Sequence, residues 1–187
     1  LIGLSIVFGS MGAIAQDDPI TIGAPINLTG WMAAYDTPPF EGAKLAVKKI
    51  NEEGGVLGRQ LQIIEVDGKT DPATVGNAAI EVIDRGAHVI VAPCDFDFGA
   101  PAGQAAQAAG LVGVSFCASS PLYGSDALGD LQFTTSMWNQ TMSAAAAEFA
   151  ISRDWMTAAT IVDSTTEYTQ SLGEYFTETF NHLGGEV

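Results

Sequence analysis

The sequence has little positive charge, almost no histidine and only two cysteines. Its 187 residues include 7 lysines and arginines against 22 aspartates and glutamates, which gives a formal net charge of −15. A surface of that sign repels phosphate backbones and anionic lipid headgroups. We therefore expect no nucleic-acid partner.

The motifs of common enzyme classes are also missing. The sequence contains no G-x-S-x-G, no H-E-x-x-H and no P-loop, and its glycine-rich run at 54–59 lacks the Lys-Ser/Thr pair that holds phosphate. The two histidines, His88 and His182, fall at the start of a predicted strand and late in a predicted helix, where neither can assist a catalytic acid pair. We expect a protein that is not an enzyme and needs no cofactor, with a carboxylate-dependent hydrolase as the alternative.

The first fifteen residues, LIGLSIVFGSMGAIA, are apolar but too short to span a bilayer. They end in small residues at Ala13 and Ala15, a pattern typical of the apolar region and cleavage site of a secretory signal. We expect cleavage after Ala15 and export, with no lipid anchor because no cysteine follows the site. A signal normally opens with Met and a basic segment, so we expect the sequence to begin inside the signal. The alternative is a buried N-terminal helix.

Short apolar runs rich in β-branched residues alternate with segments of helical period. The runs predict strands at 20–26, 61–66, 87–92, 111–116 and 158–162, and the segments between them predict helices at 40–55, 71–86, 99–110, 140–152 and 168–183. The second helix has Asp71 as its N-cap and Pro72 at its first position. This alternation predicts an α/β fold with a doubly wound, mainly parallel sheet.

The pattern restarts after residue 136. Residues 17–136 predict one complete α/β lobe, whereas 137–187 predict one helix, one strand and one helix without a sheet of their own. Such a piece cannot bury its apolar faces alone. We therefore expect residues 137–187 to be the start of a second lobe, truncated in this sequence.

Small molecules bind open α/β sheets outside the carboxyl ends of the strands, where strand order reverses. Four segments follow predicted strands and combine hydroxyls, aromatic rings and carboxylates, which are the groups that orient a small polar ligand: 27–35, 94–99, 117–121 and 163–168. In the third, Ser119 and Ser120 precede a proline and have two interpretations. They bind an anion such as a carboxylate, or they satisfy a turn.

Asp95 and Asp97 follow the third predicted strand in the segment CDFDFG. If Cys94 to Phe98 continues extended, both carboxylates lie on one side of the chain and Phe96 on the other. The carboxylates could then complement a ligand ammonium or amide donor, and this interpretation is the favoured one. In the alternatives Asp97 caps the next helix while Asp95 is solvated, or the pair serves catalysis or metal binding. The spacing matches no established metal motif, so we expect no metal.

Cys94 and Cys117 end the third and fourth predicted strands. These strands should be neighbours in this topology, at a spacing near the ~5 Å between Cα atoms that a disulfide needs. We expect a disulfide, with two buried thiols as the alternative.

Several stretches together resemble a known family: ITIGAPINLTG, EGAKLAVKKINEEGGVLGRQLQIIEVDGKTDPATV, GAHVIVAP and GLVGVSFCASSP. From about residue 19 to the C-terminus the sequence is similar to the periplasmic type I solute-binding proteins of ABC transporters, in the branched-chain amino acid group. The resemblance implies two α/β lobes that trap a small-molecule ligand by hinge closure, a periplasmic location, a monomer, no enzymatic activity, and delivery to an ABC permease in the inner membrane. A ligand-sensing domain of a receptor or regulator with the same fold is the alternative.

The resemblance also implies site residues. The loop CASSP corresponds to the loop that holds an amino acid's carboxylate and ammonium, Tyr168 matches an aromatic residue of the second lobe, and Tyr35 falls near an aromatic that walls the pocket, with Trp31 as its competitor. The predicted ligand contacts are Ala118, Ser119, Asp95, Tyr168, Tyr35, Phe96, Asp97 and Ser120.

Two departures from the family pattern matter. Asp95 stands where the family usually has a ligand-contacting serine, and an extra carboxylate disfavours a plain carboxylate ligand unless a cation pairs with it. This implies an amide, a ureido compound or an amine-bearing ligand. The family is also roughly twice as long, and the acidic ligand contact that its second lobe often supplies is absent. We therefore expect that the chain as written does not close a cleft.

Overall fold

The computed structural model describes residues 18–187, so the predicted signal lies outside the described part of the chain. Five strands and five helices alternate along most of it. They are β1 Ile20–Ile26, α1 Ala33–Glu52, β2 Leu61–Asp67, α2 Pro72–Asp84, β3 Val89–Ala92, α3 Phe96–Ala108, β4 Val112–Ser115, β5 Gln132–Thr134, α4 Asn139–Ser152 and α5 Glu167–His182. We call residues 18–136 the first unit and 137–187 the second unit.

The strands form one sheet in the order β2-β1-β3-β4-β5, and every pair is parallel. α1 packs on one face of this sheet, while α2 and α3 contact each other on the opposite face. The predicted α/β class with a doubly wound parallel sheet is thus confirmed. Strand order reverses at β1, from which β2 lies to one side and β3 to the other. In sheets of this kind that reversal marks the ligand crevice.

The main core lies between the sheet and the α2–α3 pair. Val75 and Val82 of α2 are fully buried there, with Ile90 of β3 and Tyr123. Gly23 of β1 permits the close approach of α2, because a Cβ at that position would lie 2.7 Å from Val82 Cγ2. A smaller cluster on the other face packs Phe40 of α1 against Ala24 and Ile26. Helices therefore cover both faces of the central strands β1 and β3, as the near-continuous apolar runs of these strands predict.

Local signals predicted some helix starts correctly and others wrongly. Asp71 caps α2 by accepting a 2.7 Å hydrogen bond from the backbone N–H of Thr74, with Pro72 at the first helical position, as predicted. By contrast, α1 begins at Ala33 instead of residue 40 and continues through Pro38 and Pro39. Proline is unfavourable in a helix interior because it has no backbone N–H to donate, and both prolines lie within the first two turns of α1.

Residues 94–98 are not extended, so the condition for placing both carboxylates on one side of the chain is not met. α3 begins at Phe96, and Asp95 is its N-cap with φ 68°, its side chain accepting a 3.0 Å hydrogen bond from the backbone N–H of Asp97. Because the chain enters a helix here, Asp95 and Asp97 do not point to the same side as alternate residues of a strand would. The turn depends on a positive φ at a non-glycine residue, which sequence pattern does not predict.

The predicted strand at 158–162 is also absent. In this region only the isolated bridge between Thr157 and Glu186 pairs with other backbone, and the side chain of Ile161 is fully exposed. A β-branched run becomes a strand only where a partner backbone lies beside it. Conversely, the short strand β5 at Gln132–Thr134, which pairs with β4, was not predicted from the sequence.

The second unit is built on the helix pair α4 and α5. Asn139 Nδ2 donates a 2.6 Å hydrogen bond to Ser171 Oγ, and Ser143 Oγ donates to the carbonyl of Leu172 at 3.0 Å. Both helices point their N-termini toward the first unit. Among residues 18–187, none of the helices combines the length and the apolar character needed to cross a membrane.

Candidate functional site

A cleft of about 430 Å³ lies between the two units, beyond the carboxyl ends of β1, β3 and β4. Contrary to expectation, the chain does bring residues of both units around one cleft. It does so because the backbone N–H of Asn139 donates to the carbonyl of Ser119 at 2.8 Å, and that of Glu167 donates to Asp97 Oδ2 at 2.9 Å. The cleft is lined by Trp31, Met32, Tyr35, Cys94, Asp95, Cys117, Ser119, Ser136, Met142, Asp163, Thr166, Tyr168 and Thr169.

The buried carboxylate of Asp36 holds the strand ends that form the floor. Its Oδ2 accepts a 3.1 Å hydrogen bond from the backbone N–H of Asn27, and its Oδ1 accepts a 2.6 Å bond from that of Cys94. Burial raises the pKa of Asp36 to about 6, although the two backbone hydrogen bonds lower it. Sequence reasoning missed Asp36. The available signal was a single acidic residue in the otherwise uncharged run WMAAYDTPPF.

Cys94 and Cys117 are joined by a disulfide at the end of the paired strands β3 and β4. Their Cα atoms lie 4.7 Å apart, and both residues line the cleft. The bond ties the loop that carries Asp95 to the loop that carries Ser119. The two loops can therefore move little relative to each other.

Asp95 contributes a half-buried carboxylate to the cleft. Burial raises its pKa to about 6; the backbone hydrogen bond from Asp97 opposes the rise, and the charges of Asp97 and Glu167 add to it. No lysine, arginine or histidine belongs to the set of residues that lines this cleft. Among the residues that the structure describes, no group of three or more histidine, cysteine or acidic side chains is arranged to hold a metal ion.

The three predicted residues of the CASSP loop have different surroundings. Ser119 lines the cleft. Ala118 is fully buried, and its N–H already donates to Ser115 Oγ at 3.0 Å. Ser120 is buried, and its Oγ accepts from the backbone N–H of Leu122 at 3.1 Å, so it satisfies a turn. The turn interpretation therefore describes Ser120, and Ser119 is the serine that a ligand would contact.

Phe96 and Asp97 lie away from the cleft wall. Phe96 packs against the main core, and the carboxylate of Asp97 caps the N-terminus of α5 through Glu167. Asp97 does cap a helix, as one interpretation of the sequence held, but that helix is α5 of the second unit and not the helix that follows Asp97 in the chain. Asp95 instead caps the helix that follows it.

Aromatic side chains form one wall of the cleft. Trp31 and Tyr35 both line it, with their ring centroids 6.4 Å apart in an edge-to-face arrangement, and Trp31 packs edge-to-face on Phe98 at 5.5 Å. Their side chains remain 57% and 62% exposed. Tyr168 lines the cleft from the second unit. Trp31 and Tyr35 are thus not exclusive alternatives, since both face the same space.

Three lining residues lie outside the segments that the sequence had singled out. They are Ser136, Met142 and Thr169. Met142 and Thr169 belong to α4 and α5, and each reaches the cleft because its helix points its N-terminal turn there. No sequence signal distinguishes them from ordinary helix residues, because the docking of the two units decides which turn faces the ligand.

Comparisons with known proteins identify the family of the chain. The profile of the family described as "Periplasmic binding protein" matches residues 19–187. The chain belongs to this periplasmic binding protein family, as its resemblance had implied.

Individual relatives agree with this assignment. The chain is 28% identical over 165 residues to the Leu/Ile/Val-binding protein BraC3 of Rhizobium johnstonii, covering 88% of this chain and 45% of that protein. It superposes with a TM-score of 0.81 and 24% identity on the branched-chain amino acid transporter substrate binding protein LivJ from Streptococcus pneumoniae, solved with isoleucine; the match covers 90% of this chain and 48% of that one.

A third relative is a solute-binding protein of an ABC transporter from Rhodopseudomonas palustris, solved with 3,4-dihydroxybenzoic acid. It gives a TM-score of 0.77 at 20% identity, covering 91% of this chain and 46% of that one. The chain thus spans about half the length of each of these relatives.

Proposed function

We propose that this protein is the solute-binding component of an ABC importer, and that it captures an amino acid or a related small amide or amine between its two units. It would act in the periplasm as a monomer and deliver the ligand to an inner-membrane permease, without chemical conversion. One observation carries the proposal. A single cleft at the reversal point of the sheet is lined by polar and aromatic residues of both units.

The contacts support a mechanism of closure. The first unit supplies a floor that is fixed before binding, because Asp36 and the disulfide hold the strand-end loops together. The second unit supplies Tyr168 and Thr166 from the start of α5. A ligand that touches both units is bound best when they are close together, so it selects the closed arrangement.

The chemistry of the lining supports binding over catalysis. Both cleft cysteines are tied in the disulfide, and histidine does not occur among the lining residues. A carboxylate with a pKa near 6, such as Asp95, suits a general base, but it would need a nucleophile or an oriented acid beside it. Two of the lining hydroxyls, those of Thr166 and Thr169, hydrogen-bond to each other, and that of Thr169 also bonds to the backbone carbonyl of Asp163, so neither has a carboxylate as its partner.

A thermal-shift screen of the complete gene product against amino acids, amides, ureas and amines tests the proposal. A ligand that binds only the folded protein raises its melting temperature. The best ligand is then titrated by calorimetry against wild type, Ser119→Ala and the control Ser125→Ala, whose serine is exposed and does not line the cleft. We expect Ser119→Ala to weaken binding by roughly tenfold and Ser125→Ala to leave it unchanged. The absence of any stabilising solute across all four classes would contradict the proposed function.

A further inference from the structure

We propose that the ligand of this cleft carries a net positive charge: it is a small organic cation, an ammonium or guanidinium compound without a free carboxylate of its own. This rests on the proposed function and narrows it to one class of solute. A cationic ligand would distinguish this protein from its relatives that are named for leucine, isoleucine and valine, because those three amino acids are zwitterions.

Asp95 is the charged group at the floor of the cleft. Its carboxylate is half-buried and accepts a hydrogen bond only from the backbone N–H of Asp97, its neighbour in the same turn. A carboxylate withdrawn from water without a countercharge is costly, and a ligand cation removes that cost.

None of the chain's own cationic side chains lies on the wall of the cleft. All seven lysines and arginines lie in the described residues, and none lines the cleft. Lys44 pairs with Glu41 and Glu65, and Arg85 pairs with Glu81. Arg59 donates to the carbonyls of Asp18 and Pro19. Among residues 18–187 no lysine, arginine or histidine forms a salt bridge with Asp95, so a positive charge on the ligand would be its countercharge.

The surroundings of Asp95 add further negative potential. The charges of Asp97 and Glu167 both act on Asp95, and Glu167 Oε2 is buried without a hydrogen-bond donor. Asp163 lies on the lining at the side of the second unit, where its Oδ1 accepts from the N–H and hydroxyl of Thr165. Acidic groups thus approach the cleft from both units, which favours a cation and opposes a second carboxylate.

The aromatic wall suits the same ligand. Trp31 and Tyr35 both line the cleft and remain more than half exposed, and the faces of tryptophan and tyrosine rings attract cations through their π electrons. Met32 and Met142 supply adaptable apolar contacts beside them. An organic cation can place its charge at Asp95 and its carbon atoms against these side chains.

Two matched pairs of ligands test the inference on the wild-type product of the complete gene. L-leucinamide has the side chain and ammonium of L-leucine but a neutral amide in place of the carboxylate. Choline differs from betaine in the same sense, with a neutral hydroxymethyl group in place of the carboxylate. We expect the cationic member of each pair to bind at least tenfold more tightly in calorimetry at pH 7.5. Equal or tighter binding of both zwitterions would overturn the inference while leaving the proposed function intact.

A variant locates the effect. Asp95→Asn keeps the size of the side chain and an oxygen that can cap α3, and Asp84→Asn changes the net charge equally at an exposed, distant position. We expect Asp95→Asn to weaken the cationic ligands by tenfold or more and to abolish the preference within each pair, with Asp84→Asn behaving as wild type. A preference that survives in folded Asp95→Asn would overturn the assignment to Asp95. If neither member of either pair binds, and the wider screen also finds no solute, the proposed function fails together with the inference.

Discussion

The carboxylate of Asp36 in α1 accepts a 2.6 Å hydrogen bond from the backbone N–H of Cys94 at the end of β3. Its other oxygen accepts from the backbone N–H of Asn27 at the end of β1. These are the two strands between which strand order reverses. One buried side chain thus sets the separation of the strand ends on which the cleft is built.

Replacing Asp36 with alanine should destabilise the protein by about 3 kcal/mol, because two buried N–H groups lose their acceptors. Urea unfolding measures this change, with the exposed Asp84→Ala as a control that should shift stability by less than about 0.5 kcal/mol. Equal stabilities for the two variants would show that water or a local rearrangement replaces the carboxylate.

Stability should decrease as the pH rises from 4.5 to 7.5. Asp36 and Asp95 have pKa values raised to about 6 by burial, above the ordinary 3.8, so the folded protein holds their protons more tightly than the unfolded chain. Their contribution is fully present below the ordinary pKa and is lost as the pH rises through about 6.

Two other aspartates, Asp71 and Asp163, have lowered pKa values and affect stability at more acidic pH. Hydrogen bonds from Thr74 and Thr165 lower the pKa values of Asp71 and Asp163, so the contribution of these residues is lost only at more acidic pH. Urea unfolding at several pH values should show a loss on the order of 1 kcal/mol between pH 4.5 and 7.5, after allowance for solvent screening at Asp95. The loss should be smaller in Asp95→Asn than in Asp84→Asn, and identical slopes would count against a raised pKa at Asp95.

Reducing the disulfide should destabilise the protein by about 3 kcal/mol, since it joins residues 23 positions apart and restricts the unfolded chain. The Cys94→Ser, Cys117→Ser double variant should reproduce the loss without reductant. It should also weaken ligand binding, because the loops of Asp95 and Ser119 become independent. Mass spectrometry after alkylation of the unreduced, exported protein provides the direct test, and two modified thiols would rule out the bond.

Removing the carboxylate of Asp97 should loosen the contact between the units. Asp97→Ala leaves the backbone N–H of Glu167 without its 2.9 Å acceptor, and the loss of such a helix cap costs about 1 kcal/mol. Hydrogen exchange should accelerate at the first turn of α5, whereas Asp97→Asn, which retains an acceptor oxygen, should change it less. Unaltered exchange in Asp97→Ala would mean that the cap does not hold the second unit in solution.

Predictions from sequence succeeded where the signal was local. Asp71 and Pro72 start α2 through contacts within one turn, and the apolar runs correctly predict the approximate positions of β1 to β4. They failed where a distant partner decides. Residues 158–162 have strand composition but pair with other backbone only through the neighbouring Thr157–Glu186 bridge, and Asp95 turns the chain into α3 through a positive φ.

The candidate site was predicted in the same uneven way. Trp31, Tyr35, Asp95, Ser119 and Tyr168 all line the cleft, because each follows a predicted strand in a parallel α/β pattern or matches a family position. Asp36 escaped prediction because its partners Asn27 and Cys94 lie 9 and 58 positions away in the chain. Phe96, Asp97 and Ser120 were placed near the ligand but pack or cap elsewhere.

The sequence by itself determined the alternation of strands and helices, the parallel sheet, the family and the excess of negative charge, since these depend on composition and on contacts within a few residues. Only the tertiary structure decided which acidic residue faces the cleft, which holds its floor and which joins the two units. The role of each carboxylate depends on which backbone N–H groups donate to it. Asp95 accepts from Asp97, two residues further along the chain, whereas Asp97 accepts from Glu167, 70 residues away.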